Sequence, residues 1–303
     1  MLVSVIIPVY NCEKTIETLY HSLKNQTYQN LEIIFVENGS TDYSYEILKK
    51  IEAQDHRVKV LRKLQQGVSF ARKAGWKIAQ GKYLYFADGD DYILPTGIET
   101  LLKTAIEYQA DQVIGSYFCY HSEECLEASL IISQKRKKYE TSQSTCMKTQ
   151  YTPPLWAHLY KKELIKEDFF VPLQQMEDHI FNWYTYISSK KTMLVSKEVY
   201  LYNRQEQTGL SSLLHVPSYN DLRKCISDFF QYCLNQNVLQ QYEEDIHALV
   251  IYRLKKLKQK YLEVLKECVD IYSEDYILKM IEELEEMCQL LANGQKVNFV
   301  KKR

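Results

Sequence analysis

Short apolar runs alternate with segments of helical period along the first third of the chain. The apolar runs predict strands at residues 2–7, 31–36, 58–61, 82–87 and 112–115. Apolar side chains that recur every three or four residues predict helices at residues 13–25, 43–54, 68–79 and 96–108. Strands and helices in alternation indicate a parallel sheet covered by helices on both faces. We therefore predict an α/β fold.

The rest of the chain has a different pattern. After Gly115 the sequence becomes a mixture of strand-like and loop-like segments, and from about residue 216 the helical period dominates. These changes predict boundaries near residues 115 and 215. No stretch approaches the ~18 continuous apolar residues of a membrane-spanning helix, so we expect none.

Composition narrows the class of protein. The 38 basic and 39 acidic side chains leave a net charge of −1, and 46% of the residues are hydrophobic. These values exclude a disordered chain and argue against a nucleic-acid binder, which usually carries a strong basic excess. The eight cysteines form no CxxC pair, and the apolar N-terminal segment lacks the basic residues of a signal peptide. We expect a cytoplasmic protein with reduced thiols.

Polar residues and one tyrosine follow the first two predicted strands. Pro8 and Tyr10 end the first strand, and Glu37 and Asn38 end the second. Neighbouring parallel strands bring their carboxyl ends to one edge, where a ring beside hydrogen-bonding groups suits a planar base. The alternative is a proline-terminated strand and an ordinary Gly-Ser turn. The first strand is not followed by GxGxxG, which argues against a dinucleotide fold.

Four residues that we call the acidic turn, Asp88-Gly89-Asp90-Asp91, follow the strand at 82–87. Three carboxylates within four residues repel one another unless a cation lies between them, and oxygen ligands favour Mg²⁺ or Mn²⁺. Such a cation would neutralise a departing diphosphate. The alternative is an acidic cap at the start of the next helix.

Two further positions carry candidate chemistry. Arg72, in the helix at 68–79, could pair with a phosphate or with the acidic turn, although alone it fits an ordinary surface residue. Glu177 and Asp178 precede apolar residues at helical spacing, which places one of the two acids at a buried face. A partly buried carboxylate is a candidate general base, and His179 is its rival.

These motifs also carry a family resemblance. From Val3 to about Ser212 the chain resembles the family 2 glycosyltransferases of bacteria, which use nucleotide sugars and have the GT-A fold. The resemblance rests on VSVIIPVYNCEKTI, SLKNQTYQNLEIIFVENGSTD, GVSFARKAGWKIAQGKYLYFADGDDYI, LWAHLYKKELI, MEDHIFN and YNRQEQTGLS. It implies a Rossmann-like, mostly parallel sheet with flanking helices, plus a C-terminal helical region. Residues 1–115 would form the nucleotide-sugar-binding half, 116–215 the acceptor-side half and 216–303 the helical region.

The resemblance also implies site residues. Asp178, the second acid of the family's ED pair, would be the catalytic base, and Asp90 would hold the metal of the DxD motif. Tyr10 and the Glu37-Asn38 turn would contact the base, and Asp88 the ribose. The full set expected to bind the nucleotide sugar is Pro8, Tyr10, Glu37, Asn38, Arg72, Asp88, Gly89 and Arg204.

The resemblance implies an inverting transferase that uses Mn²⁺ or Mg²⁺ and acts in bacterial polysaccharide biosynthesis. We expect its sugar donor to be a UDP-sugar. The acceptor would be a glycan, a lipid-linked molecule or a glycoprotein. Two alternatives remain: a non-catalytic partner subunit of another glycosyltransferase, and a sugar nucleotidyltransferase, although the first loop, PVYNCEKT, lacks the glycines that hold a triphosphate.

The C-terminal region carries one further signal. The basic and apolar residues at 252–261 fit peripheral contact with the inner face of the membrane, helix packing, or a homodimer formed through the C-terminal helices.

Overall fold

The structure is a computed structural model that describes residues 1–63, 67–122, 125–129, 138–141, 155–173, 176–203, 219–238 and scattered positions up to 282. The chain divides into two compact units. The first comprises residues 1–143, 152–173 and 177–206, and the second comprises residues 144–151, 174–176 and 207–303. The sequence-based division near residues 115 and 215 stays a prediction.

The first four strands form a parallel ladder. The strands are β1 Val3–Val9, β2 Leu31–Glu37, β3 Val58–Arg62 and β4 Tyr83–Phe86. The helices between them are α1 Ile16–Lys24, α2 Ser44–Gln54 and α3 Val68–Ile78. The strands lie in the order β3-β2-β1-β4, and each neighbouring pair is parallel. All seven residues of β2 are buried, as expected for a strand covered on both faces. The predicted α/β fold is confirmed.

Beyond β4 the sheet becomes mixed. Its further elements are β5 Tyr92–Ile93, α4 Gly97–Tyr108, β6 Gln112–Ser122, β7 Cys125–Ser129, β8 Lys138–Thr141, β9 His158–Lys161, two 3₁₀ helices at Lys162–Leu164 and Glu167–Phe169, α5 Glu177–Ser188 and β10 Thr192–Asn203. The order continues β9-β6-β10-β5. Strand β9 runs antiparallel to both β4 and β6, and β6 is parallel to β10. Strands β4, β6 and β10 therefore run in the same direction.

Helix α3 packs closely on β1 and β2 at Gly75. A Cβ atom built on Gly75 would lie 2.5 Å from Cγ2 of Ile6 and 3.2 Å from Cγ2 of Val36. Both side chains are fully buried and β-branched, so they have little freedom to move away. A residue without a side chain is therefore required for this approach, which brings Arg72, three residues earlier, into a buried position.

The second unit contains helix α6, Tyr219–Asn235. Its buried residues Leu222, Cys225, Ile226, Phe229 and Cys233 recur at helical spacing and form one apolar face. None of the helices in the described part of the chain is long and apolar enough to cross a membrane. Arg204 and most of the segment at 252–261 lie outside the described residues.

Substitution of Gly75 tests the packing of α3. Gly75→Ala gains about 1 kcal/mol of helix propensity, but overpacking of a core costs about 1–3 kcal/mol. Because the contact falls on a stiff side chain, we expect a net loss in the free energy of unfolding, measured by urea titration. Ile78→Ala, at an exposed position of the same helix, is the control and should change that free energy by about 0.5 kcal/mol or less. A stabilised Gly75→Ala protein would contradict the close packing.

Candidate active site

The loops that follow β1 and β2 are hydrogen-bonded to each other. The backbone N–H of Asn38 donates to the carbonyl of Val9 (2.8 Å), and the N–H of Asn11 donates to Oγ of Ser40 (3.1 Å). The N–H of Thr41 donates in return to Oδ1 of Asn11 (2.9 Å). Asn11 has φ of 53°, a left-handed conformation that asparagine tolerates well. The two loops therefore form one wall, on which the Tyr10 ring is 51% exposed.

Glu37 is an internal support of this wall. Its side chain is fully buried, and one carboxylate oxygen accepts the backbone N–H of Ser40. The other oxygen accepts a hydrogen bond from Nε of Arg62 at 3.0 Å. The Arg62 guanidinium also lies over the Tyr45 ring, 4.3 Å from its centroid. Glu37 thus fixes the turn that carries Asn38.

The acidic turn lies directly against the end of β1. A Cβ atom on Gly89 would lie 2.8 Å from Sγ of Cys12 and 3.5 Å from the carbonyl oxygen of Pro8. The Thr15 hydroxyl donates a hydrogen bond to the carbonyl of Gly89 at 3.0 Å. A side chain at position 89 would therefore require the Cys12 thiol to move.

The three carboxylates of the acidic turn point to different surroundings. Asp88 bonds to Arg72, Asp91 is buried (2% exposed), and Asp90 is exposed. Asp91 accepts the Tyr200 hydroxyl (2.7 Å) and the backbone N–H of Asn203 (2.8 Å). Burial, reinforced by the charges of Asp90 and Asp88, raises the pKa of Asp91 well above its ordinary value, while these hydrogen bonds oppose the rise. Asp88 and Asp91 are therefore each bonded to a different part of the protein.

Arg72 joins the acidic turn to the start of α5. Its Nη2 lies 2.9 Å from Oδ1 of Asp88, and its Nη1 lies 3.1 Å from Oε1 of Glu177. The side chain is only 5% exposed, and Nε is buried with no hydrogen-bond partner among the described residues. A guanidinium is always charged, so its burial requires these two carboxylates.

The first two residues of α5 have different partners. Glu177 is held by Arg72, whereas Oδ1 of Asp178 lies 2.5 Å from Nδ1 of His179. Burial raises the pKa of Glu177 to about 7, the nearby charge of Asp178 adds to the rise, and Arg72 opposes it. Asp178 is 22% exposed, so it keeps a surface that a substrate can reach.

Most of the predicted site residues lie in this connected network. The structure brings together the ends of β1, β2 and β4 with Arg72 of α3 and Glu177 of α5, whereas Arg204 lies outside the described residues. Tyr200 and Asn203 were not predicted. The alternation Tyr200-Leu201-Tyr202 places both tyrosines on one face of a strand, but it does not identify the carboxylate that they meet. No three His, Cys, Asp or Glu side chains among the described residues are arranged to hold a metal ion.

Comparison with known proteins identifies the family. The family model described as "Glycosyl transferase family 2" matches residues 4–169, which is more than half of the chain and includes β2, β4, the acidic turn and all of β1 except Val3. The chain belongs to glycosyl transferase family 2. It is therefore a glycosyltransferase, and the sugar nucleotidyltransferase alternative is set aside.

Curated relatives of this family 2 glycosyltransferase include two proteins from Streptococcus pneumoniae serotype 4. Glycosyltransferase GlyG is 34% identical over 218 residues, which cover 67% of this chain and 71% of GlyG. Glycosyltransferase GlyA is 34% identical over 212 residues, which cover 66% of this chain but only 30% of GlyA. This chain thus spans less than a third of the length of GlyA.

Solved structures show the same fold. The structure of S. aureus TarS residues 1–349 in complex with UDP-GlcNAc has a TM-score of 0.66 and 19% identity, and the match covers 98% of this chain and 93% of that one. The complex of the same TarS fragment with UDP has a TM-score of 0.63. At this identity the likeness establishes the fold of the glycosyltransferase.

The raised pKa of Glu177 predicts a pH dependence of stability. The ordinary pKa is 4.5 and the folded value is about 7, so the folded protein binds an additional proton between these values. The resulting stabilisation is complete below pH 4.5 and is lost as the pH rises through 7. In Glu177→Gln, which keeps an oxygen for Arg72, this loss should be absent.

Urea unfolding at pH 5 and pH 8, followed by tryptophan fluorescence, measures the change in the free energy of unfolding between the two pH values. All three tryptophans, Trp76, Trp156 and Trp183, lie in the first unit, so the signal follows that unit. Glu46→Gln, at an exposed site on α2, controls for the removal of a carboxylate. If the free energies of unfolding of wild type and Glu177→Gln differ by the same amount at pH 5 and at pH 8, Glu177 does not titrate in this range.

Proposed function

We propose that this glycosyltransferase is an inverting enzyme that transfers a sugar from a UDP-sugar donor to an acceptor hydroxyl. The observation that carries the proposal is the Arg72 bridge, because it joins the acidic turn at the end of β4 to the acid pair at the start of α5. Donor-side and acceptor-side chemistry thus meet at one place. The TarS complexes with UDP and UDP-GlcNAc support a uridine nucleotide.

Asp178 is the general base in this proposal. Glu177 is paired with Arg72, whereas Asp178 is 22% exposed and within reach of a substrate, and His179 Nδ1 orients its carboxylate. Asp178 takes the proton of the acceptor hydroxyl as that oxygen attacks the anomeric carbon. The bond from the anomeric carbon to the diphosphate oxygen breaks, and UDP leaves. One displacement inverts the anomeric configuration.

Asp90 is the metal ligand in this proposal, with Mn²⁺ or Mg²⁺ as the ion. These ions commonly bind through one or two carboxylates and the substrate's own phosphates, with no protein cage. An exposed Asp90 beside two otherwise engaged carboxylates fits that mode. When bound, the ion stabilises negative charge on the departing diphosphate. Arg204, which lies outside the described residues, stays a predicted contact of the diphosphate or the acceptor.

The remaining nucleotide contacts follow from exposure. The exposed Tyr10 ring offers a face for the base, with Asn38 beside it, while Pro8, Gly89 and the buried Glu37 shape the wall. Arg72 is 5% exposed and held by two ion pairs, and its contact with the nucleotide stays a prediction.

Acceptor, assembly and location also remain proposals. The acceptor is a glycan, a lipid-linked molecule or a glycoprotein, and the reaction takes place in the cytoplasm, where nucleotide sugars are made. Contact with the inner membrane face and a homodimer through the C-terminal helices both fall on residues mostly outside the described part of the chain.

Asp178→Asn tests the base. The amide cannot accept the proton, so the rate of UDP release from UDP-GlcNAc, with water as acceptor, should fall about 10²–10⁴-fold while UDP affinity is kept. Asp168→Asn, at an exposed aspartate of the same unit, is the matched control. A rate within about threefold of wild type would point to another base. His179→Gln would then identify His179 by a large loss. If wild type itself releases no UDP, the partner-subunit alternative gains support.

Asp90→Ala tests the metal and the nucleotide together. UDP should raise the Tm of wild type more than GDP or dTDP does, and Mn²⁺ should enlarge the rise in Tm that UDP causes. In Asp90→Ala, UDP alone should still raise the Tm, but Mn²⁺ should no longer enlarge that rise. The control is Asp168→Ala. The same Mn²⁺ effect in Asp90→Ala would exclude Asp90 as the ligand, and a larger shift with GDP would exclude a uridine donor.

A further inference from the structure

Strand β10 holds the acidic turn at several points. The Tyr200 hydroxyl accepts the backbone N–H of Asp88 (3.1 Å) and donates to Oδ2 of Asp91 (2.7 Å). The backbone N–H of Asn203 donates to Oδ1 of Asp91 (2.8 Å), and its side-chain amide donates to the carbonyl of Asp90 (3.2 Å). Tyr200 and Asn203 thus bind three of the four residues of the turn, from a strand more than a hundred residues away in sequence.

The direction of each Tyr200 bond is fixed by chemistry. A phenol has one proton to donate and lone pairs to accept. Asp88 offers an N–H and Asp91 offers a carboxylate oxygen, so the hydroxyl accepts from the first and donates to the second. The single hydroxyl therefore sets the spacing between the first and last residues of the turn, which is also closed by a bond from the Asp91 N–H to the Asp88 carbonyl (3.3 Å).

The Tyr200 ring is itself held in one position. The ring is fully buried and stacks on Trp156, with centroids 4.6 Å apart and planes 7° from parallel. Trp156 is in turn packed edge-on by Tyr117, with ring centroids 4.6 Å apart and planes at 85°. Tyr200 also pairs with Ile93 of β5, the strand that follows the acidic turn. The hydroxyl therefore has little freedom to follow a moving turn.

A purely structural purpose explains this arrangement poorly. A phenylalanine at 200 would fill the same space, and an apolar residue at 91 would avoid the cost of a buried carboxylate. The hydroxyl and the carboxylate together fix the backbone on both sides of Asp90. Asp90 is the exposed acid of the turn, so its direction follows from that backbone.

We infer that Tyr200, acting through Asp91 and the N–H of Asp88, is a positioning residue that orients the Asp90 carboxylate toward the divalent cation. The inference rests on the proposed function, since it assumes that Asp90 binds that cation with the UDP diphosphate. Tyr200 is fully buried and its hydroxyl is bonded to Asp88 and Asp91, so its role is to position the turn. Its loss leaves the turn able to adopt other backbone conformations in which Asp90 points elsewhere.

Tyr200→Phe tests the inference, with UDP affinity measured by calorimetry with and without Mn²⁺. Loss of a residue that orients a metal ligand typically costs 10–100-fold in metal affinity. Tyr200→Phe should weaken UDP binding about tenfold or more in Mn²⁺ and leave Mn²⁺-free binding close to wild type. Tyr85→Phe is the matched control, because Tyr85 is also fully buried, its ring lies 6.5 Å from that of Tyr200, and its hydroxyl makes no hydrogen bond to the acidic turn.

A second variant guards against loss of folding. Asp91→Asn keeps the side-chain size and an acceptor for the Asn203 N–H but removes the acceptor for the Tyr200 proton. It should therefore lose part of the Mn²⁺ effect, which is the increase in UDP affinity that Mn²⁺ causes. If Tyr200→Phe does not fold, as judged by tryptophan fluorescence, Asp91→Asn carries the test. A wild-type Mn²⁺ effect in the folded variants would overturn the inference. Absence of any Mn²⁺ effect in wild type would overturn the proposed metal site instead.

Discussion

The repulsion among three carboxylates within four residues is the constraint on which the rest of this site depends. The three carboxylates lie in different surroundings: Asp88 is paired with a buried guanidinium, Asp91 accepts hydrogen bonds from β10, and Asp90 is exposed. Burial takes the Asp91 carboxylate and the Arg72 guanidinium out of water, so each of them requires its hydrogen-bonded partners. The turn keeps its shape only while α3 and β10 both supply their groups.

This requirement links distant parts of the chain. Arg72 reaches Asp88 because Gly75 allows α3 to lie close to β1 and β2, and the same guanidinium then meets Glu177 at the start of α5. Strand β9, antiparallel to both neighbours, lets β10 run in the same direction as β4 and bring its end to the acidic turn. The first half of the fold thus supplies the carboxylates, and the second half supplies much of what holds them.

Periodicity was sufficient to predict the first half of the fold from the sequence. The parallel strands and their helices differ from prediction by a few residues, as at α1, which begins at Ile16 where the pattern predicted residue 13. The two-residue strand β5 was not predicted, because it is too short to show alternation. Local pattern says which face of a strand or helix is buried but not which distant element covers that face.

The same limit applies to the site. The acidic turn and the Glu177-Asp178 pair could be recognised in the sequence as candidate functional residues. Their positions at a strand end and a helix start follow from the local pattern. That Arg72 is buried between two carboxylates, that Glu37 points inward to Arg62, and that Asp91 meets Tyr200 all depend on pairs far apart in sequence. A carboxylate's task in such a cluster is set by its partner, which only the tertiary structure identifies.

The central claim is that the acidic turn offers one carboxylate, Asp90, to a divalent cation while the other two are held by protein groups. Anomalous X-ray diffraction from crystals grown with UDP and Mn²⁺ tests this most directly. The account predicts one manganese peak within about 2.2 Å of an Asp90 carboxylate oxygen and next to the diphosphate, with Asp91 still bonded to Tyr200. A manganese ion bound jointly by Asp88 and Asp91, or one distant from Asp90, would contradict it.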